Sequence, residues 1–376
     1  MWKSKTTLAI ETSCDDTSLG IIRYEDGFFY VDKICAYSQI DDHQQYGGVV
    51  PEIAFRLHSE QILALLKQFS VDELQAIDSF SVTTHPWLAW SLLVWKTVAH
   101  MLWHHYNKPV VWVHHIYGHI FSLLLERNVK NIQFPWVILT ASGWHNEIYL
   151  IDKEEWTGSN NEKDSSLRSE WHVLNDCNSL SSEWQCKSVP LLFEWQYDYL
   201  PYSLADLRIT KLWKTLDDAA GECFDKVARM LWGPYPWWQW IGEQAKIGSP
   251  HPDYRFKRIM MEGNDNPYDF SFSGMKAHTY TLLQHLEKAW VSLQWQVLSD
   301  IAYEFQEAIT DTLTLKLQNA AMQYHVKTIW IVGWVSANDR LFEKANSLMS
   351  GAVLRPIKKL YSTDNAAMIG VVGLLS

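Results

Sequence analysis

The clearest chemical pair in the sequence is His115 and His119, in the stretch HHIYGH. On a helix, positions i and i+4 share a face, so both imidazoles can reach one metal ion. The pair alone is a common pattern in a chain of 15 histidines, and His100 with His104 forms another. A third ligand is needed. Asp364, in YSTDNAAMIG between a short strand and a C-terminal helix, is an acid that can supply it. Three protein ligands leave coordination positions open to substrate oxygens.

Two polar turns offer a different chemistry. TSCDDTS (12–18) and ASGWH (141–145) are rich in small and hydroxyl residues, and such turns expose backbone N–H groups to phosphate. The first also carries Asp15 and Asp16, candidates for orienting a ligand or accepting a proton. VGWVSAN (332–338) takes a strand into a helix, whose unpaired N–H groups near Asn338 suit an anion or a ribose. LDDAAGECFDKVARML (216–231) reads as an amphipathic helix. Asp217 and Asp218 fit a capping role there, and Asp225, one turn later, is placed to reach a ligand.

The elements that must position these groups come in two cycles. The first runs strand LAIE, strand LGIIRY and strand FFYVDKICAY as an antiparallel meander, then a helix over 51–69, a strand at 78–84, a helix over 87–105, strand PVVWVH and a helix from His115. The second begins at FPWVILTASGWHNEIYLID and runs to IWIVGWVSANDRLF, about 130 residues later, which points to an internal duplication. Residues 1–114 read as the first lobe and 115–364 as the second, with an insertion at 153–212. The helix at 365–376 is expected to pack near the first lobe.

Composition sets the class. The chain has 376 residues with 47% hydrophobic and 20% charged content, which fits a globular protein with two cores. A net charge of −11 argues against a broad nucleic-acid-coating surface, though not against a local basic patch. Five cysteines with no C-x-x-C and no signal peptide or membrane span suit reduced thiols and a cytoplasmic setting.

Together the stretches LAIETSCDDTSLGII, GGVVPEIAFRLH, HHIYGH, ILTASGWHNEIYL, TLDDAAGECFDKVARML, FSFSGMK, IVGWVSANDRL and STDNAAMIG resemble one family, the tRNA threonylcarbamoyladenosine synthesis enzymes, formerly called O-sialoglycoprotein endopeptidases. The resemblance implies a two-lobed α/β fold of the actin/Hsp70/sugar-kinase type with duplicated βββαβαβα lobes. It implies metal ligands at His115, His119 and Asp364, and substrate contacts at Thr140, Ala141, Ser142, Gly143, Trp144, Asp225, Trp238 and Asn338. The implied reaction moves a threonylcarbamoyl group from threonylcarbamoyl-AMP to N6 of the tRNA adenosine 3′ of the anticodon. It would use one divalent ion, with iron favoured over zinc. The implied partners are tRNA, a paralogous scaffold subunit and a P-loop ATPase, with no membrane. A small-molecule kinase of the same fold is the main rival, but it gives no reason for the histidine pair and Asp364 together. A metallopeptidase would want the glutamate of H-E-x-x-H, which HHIYGH lacks. A third reading is a catalytically impaired scaffold.

That third reading arises from the tryptophans. The chain has 21 Trp and 17 Gly, where average usage would give roughly 26 Gly. At Trp87, Trp90, Trp95, Trp144, Trp213, Trp232, Trp237, Trp238 and Trp334 the family carries glycine, while neighbours such as Gly143 and Gly333 are retained. No steric cause selects between adjacent glycines, whereas a codon cause does. UGA is read as tryptophan in some genetic codes and as glycine in others. The pattern therefore points to UGA codons, meant as glycine, rendered as tryptophan. His85 and Gly242 are further departures, standing where relatives have a glycine and a carboxylate.

Overall fold

A computed structural model describes residues 4–46, 48–85, 89–143, 145–153, 203–234, 237–258, 269–326, 328–349 and 351–376, with backbone only at 89, 90, 92 and 238. Trp87 and Trp144 lie outside the described residues, as do the side chains of Trp90 and Trp238.

The first sheet grows from the meander β1 (Lys5–Glu11), β2 (Asp16–Glu25) and β3 (Phe28–Ser38). Helices α1 (Ile40–Gln44), α2 (Pro51–Leu66) and α3 (Val71–Ala76) follow, then β4 (Ser79–His85), α4 (Ala89–Tyr106), β5 (Val110–His114) and α5 (His115–Phe121). Strand order is β3-β2-β1-β4-β5, antiparallel through the meander and parallel from β1 to β4 to β5. Side chains alternate across the sheet, as a period of two requires. Leu8 and Ile10 join one core with α2 and α4, while Ala9 faces the other way.

The second sheet repeats this plan. Its strands are β6 (Trp136–Ala141), β7 (Asn146–Lys153), β8 (Leu207–Trp213), β9 (Thr328–Val332) and β10 (Ala352–Leu354), and the order is β10-β9-β6-β7-β8. Again the first three are antiparallel and the last two join in parallel. The intervening helices are α6 (Ala220–Met230), α7 (Trp237–Ile247), α8 (Ser273–Lys288), α9 (Trp295–Gln323) and α10 (Asp339–Leu348). One sheet is the topological image of the other, so the expected duplication is present in the strands themselves. One boundary moves. Residues 207–212, read from sequence as the end of an insertion, form β8 together with Trp213 and complete the second meander.

The last helix, α11 (Ala366–Leu375), is apolar on all sides (AAMIGVVGLL), and all ten residues are buried. A helix apolar all round belongs inside a core. Ala366–Leu375 packs with α5, with Ala9 and Ile22 of the first sheet and with Trp136, Ile138 and Trp330 of the second, in one apolar cluster shared by both sheets. Gly370 and Gly373 make this possible, because a Cβ at either would lie 2.2 Å from Ile22 and 1.8 Å from Ser81 respectively. Among the described residues no helix is long and apolar enough to cross a membrane.

Candidate active site

Strand β5 runs straight into α5, with His114 as the helix N-cap and its Nδ1 accepting from Ile116 N at 3.2 Å. That junction fixes the face on which His115 and His119 project. Both are buried, and their rings stand edge to face, 4.7 Å apart at 87°. Asp364 enters from the segment just before α11, so the burial of α11 places the third member. Asp364 Oδ1 lies 3.5 Å from His115 Nε2 and 3.1 Å from His119 Nε2. One donor atom from each of the three falls within 4.8 Å of the others. Burial resists the charge on Asp364, but the two histidines outweigh it and hold the carboxyl down at about 2. Burial likewise resists charge on His115, yet Asp364 and Glu11 together raise its pKa.

The turn between β1 and β2 closes over this group. Asp16 is the first residue of β2, so the turn proper is Thr12–Asp15, shorter than the sequence suggested. Burial raises the pKa of Asp15. Burial and the neighbouring Asp15 push Asp16 up to about 7, and Asp16 Oδ1 has no hydrogen-bond partner among the described residues. Such a carboxyl is suited to exchanging a proton near neutrality.

Three groups that sequence reasoning passed over hold the turn. Glu11, fully buried at the end of β1, accepts from Ser13 N at 2.6 Å and from Thr83 Oγ1 at 2.5 Å. His58 on α2 sits 2.9 Å from the Cys14 carbonyl and 2.8 Å from Thr17 Oγ1. Gln39 stands beside His58 and pairs with His43. The usable signal was a charged or polar residue inside an otherwise apolar strand or helix face: the Glu of LAIE and the His of AFRLH.

The turn between β6 and β7 occupies the matching place in the second sheet. Ser142 N donates to the His145 carbonyl at 3.0 Å, and Glu222 N of α6 donates to the Gly143 carbonyl at 2.9 Å. Thr140 and Ala141 are strand residues, with Thr140 Oγ1 donating to the Glu147 carbonyl. His145 brings the two turns into relation. Burial lowers its pKa, and the charges of Lys211, His115 and His119 add to that. Asp225 is half-buried on α6. Asn338 caps α10 through Leu341 N and donates to Gln306 Oε1 at 2.9 Å, and a 3-10 turn, Trp334–Ala337, separates it from β9. Asp225 and Asn338 are not in the histidine–aspartate group. Asp217 does not simply cap α6: it accepts from Ser271, Phe272 and Ser273 at the start of α8, while Asp218 joins Lys226 and Lys276.

Several tryptophans stand where the backbone suits glycine. The Trp334 indole lies over the second turn: a Cβ on Gly143 would be 3.2 Å from its Nε1, and one on Gly221 only 2.4 Å from its Cζ2. Trp232, just past α6, has φ +57°, and Gly233 N returns to the Ala228 carbonyl at 2.8 Å. This is the left-handed helix end at which glycine is favoured. Trp290 repeats it past α8, with φ +57° and Val291 N bonded to the Leu286 carbonyl at 3.0 Å, and it is 94% exposed. Trp290 was not among the nine positions singled out from the sequence. Trp213 and Trp237 are buried, and the indole N–H of the fully buried Trp95 has no hydrogen-bond partner among the described residues.

A family model described as "tRNA N6-adenosine threonylcarbamoyltransferase" matches residues 33–176 and 201–371. A protein of that name from Kosmotoga olearia is 36% identical over 373 residues, covering 97% of this chain and 91% of the relative. Another, from Geotalea uraniireducens, is 34% identical, covering 97% and 90%. Among solved structures, HypF of T. kodakarensis superposes with a TM-score of 0.51 at 14% identity, covering 98% of this chain and 47% of that one, which is a likeness of fold.

Proposed function

The chain belongs to the tRNA N6-adenosine threonylcarbamoyltransferase family, and from that premise we propose that it transfers the threonylcarbamoyl group of threonylcarbamoyl-AMP to N6 of the tRNA adenosine 3′ of the anticodon. The observation that carries the reading is the convergence of His115, His119 and Asp364 beside a turn bearing two acids of raised pKa. The donor set fits one divalent ion: both histidine Nε2 atoms point at one carboxylate oxygen. Iron is the first choice, zinc the second. When bound, the ion supplies electrophilic stabilisation of phosphate or carbonyl oxygens.

The remaining steps belong to the chain's own groups. N6 attacks the carbamoyl carbon, the bond from that carbon to the AMP phosphate oxygen breaks, and N6 gives up a proton. Asp16, held near neutrality by burial and by Asp15, takes that proton, and Asp15 orients the acyl group. The turns at 12–15 and 142–145, together with Asp225, Trp238 and Asn338, hold the adenylate between lobes 1–114 and 115–364. A paralogous scaffold subunit and a P-loop ATPase act with it in the cytoplasm.

Trp334 over Gly143 and Gly221 favours a second reading, a non-catalytic scaffold, if the indole is genuine. We infer instead that glycine is the encoded residue at Trp334, Trp232 and Trp290, because two of these hold left-handed backbone and the third covers the expected ligand turn. The test has two arms. Sequencing the gene shows UGA or UGG at these codons, and UGG would sink the glycine reading. Incubating the glycine-restored chain with its partners, tRNA and threonylcarbamoyl-AMP should release AMP and modify the tRNA. Failure of a folded, metal-loaded, glycine-restored chain in that assay would end the transferase proposal.

A further inference from the structure

The two histidines of the trio are held unequally. His119 Nδ1 is buried with no hydrogen-bond partner among the described residues. His115 Nδ1 faces Ser13 Oγ at 3.0 Å and Glu11 Oε2 at 3.3 Å. Glu11 is therefore shared between two tasks. One oxygen accepts from the Ser13 backbone N–H in the first turn, and the other serves Thr83 and His115. We propose that Glu11 is a positioning residue that fixes the orientation and tautomer of His115 for metal binding and ties that imidazole to the turn carrying Asp15 and Asp16. The inference rests on the metal reading of His115, His119 and Asp364.

The chemistry follows from what a carboxylate can accept. Imidazole presents one nitrogen to a metal, and the proton on the other selects which. With the proton on Nδ1, donated to Glu11, the Nε2 lone pair of His115 points at the position shared with His119 and Asp364. An ionised carboxylate accepts on both oxygens, so it can serve Ser13, Thr83 and His115 at once. An amide cannot. A glutamine here must turn its NH2 either toward the Ser13 N–H or toward His115, and one of the two contacts is lost. With the NH2 toward His115, the ring either rotates or moves its proton to Nε2, where the metal must bind. With the NH2 toward Ser13, the tie to the turn breaks and a neutral oxygen replaces the carboxylate that strengthens the imidazole as a ligand. Glu11 is fully buried at the end of β1, a strand fixed by its parallel pairing with β4. It cannot drift to follow a displaced ring. The link has a second effect: a shift of the 12–15 turn on ligand binding pulls on the Glu11–Ser13 bond and hence on the imidazole.

The test titrates Co²⁺ into the metal-free full-length chain, following its visible ligand-field bands, and measures the rise in melting temperature that Co²⁺ produces. If the parent chain binds no Co²⁺ with loss on His115→Ala, the metal reading itself falls. If the parent binds, Glu11→Gln should weaken Co²⁺ by roughly 10–100-fold, the range for outer-shell changes at metal sites, shift the bands and shrink the Co²⁺-dependent gain in melting temperature. Ser13→Ala should stay within about threefold of the parent, because Glu11 still holds Nδ1. Glu11→Asp keeps the charge but withdraws it by one methylene, and it serves if the glutamine variant does not fold; it too should weaken binding. A glutamine variant that melts lower but keeps the parent affinity, bands and Co²⁺ gain, or an aspartate variant that binds like the parent, would overturn the proposal.

Discussion

The turns joining the first two strands of each sheet are topological twins with opposite contents. Thr12–Asp15 and its flanks are crowded with charge: burial raises the pKa of Asp15, burial and Asp15 raise that of Asp16, and His115 holds that of Glu11 down against burial. In the second turn the Gly143 carbonyl accepts from Glu222 N of α6, and the Trp334 ring lies over Gly143. The duplicated scaffold holds ionisable side chains at one turn and, at the other, a glycine carbonyl bonded to a helix. The two are vulnerable to different errors. Replacing glycine with tryptophan leaves every ligand of the first site in place, because none is a glycine. The same replacement falls directly on the second.

The largest effect should come from the histidine group beside the charged turn. Changing His115→Ala should lower Co²⁺ affinity by more than about 100-fold, beyond the range of an outer-shell change, and abolish transfer while circular dichroism stays near that of the parent. Unchanged metal affinity would break the contrast at its stronger end.

At the other turn, Trp334→Gly should tighten AMP binding by roughly 10–100-fold, since relieving an overpacked side chain is worth about 1–3 kcal/mol. Calorimetry with the parent and variant measures it. Restoring glycine at all nine family positions should go further. Equal affinities would mean the indole does not obstruct the second turn.

A pH experiment sharpens the electrostatic half. In the metal-free fold Asp16 holds its proton up to about 7, against an ordinary value of 3.8. The folded state therefore binds that proton more tightly than the unfolded chain. The stability it contributes is full below the ordinary value and is lost as pH rises through the folded one. Asp16→Asn should remove that decline, so urea midpoints of variant and parent should diverge, in favour of the variant, between about 4 and 7. Parallel curves would show that Asp16 is not strained by its neighbours.

The smallest effect lies away from both turns. Trp290→Gly should raise stability by up to about 1 kcal/mol, the order of the penalty for a side chain in left-handed backbone. Trp290→Ala should gain little, because alanine keeps the Cβ. A gain with alanine equal to that with glycine would assign the effect to the exposed indole and not to the backbone.

What could be read in advance followed the range of the interaction. The histidine pair lies within one helical turn, and strand and helix periods mark both cycles, so His115, His119 and the duplicated order were accessible from local pattern. Asp364 could be named beforehand only as a candidate acid between a strand and a helix, singled out by family likeness, because nothing local tells which distant acid returns to the helix. Glu11 was missed for a related reason. In the sequence it is merely the polar end of LAIE, and its role depends on β4 and α5 arriving beside it. Strand β8 hid in a stretch of mixed composition because its pattern is weak and its pairing partner is remote. The sign of φ at Trp290 has no hydrophobic period to announce it.

The buried helix Ala366–Leu375 has a consequence for how the protein is made. Asp364 and this helix follow every strand of both sheets in the chain, yet the helix belongs to an apolar cluster that takes residues from both sheets. Domains generally begin to fold from their N-terminal side as the chain leaves the ribosome. Here the first sheet must wait, with Ala9 and Ile22 uncovered, until the segment about 360 residues downstream has emerged. His115 and His119 precede Asp364 in the chain, so the three side chains cannot come together until that acid has emerged.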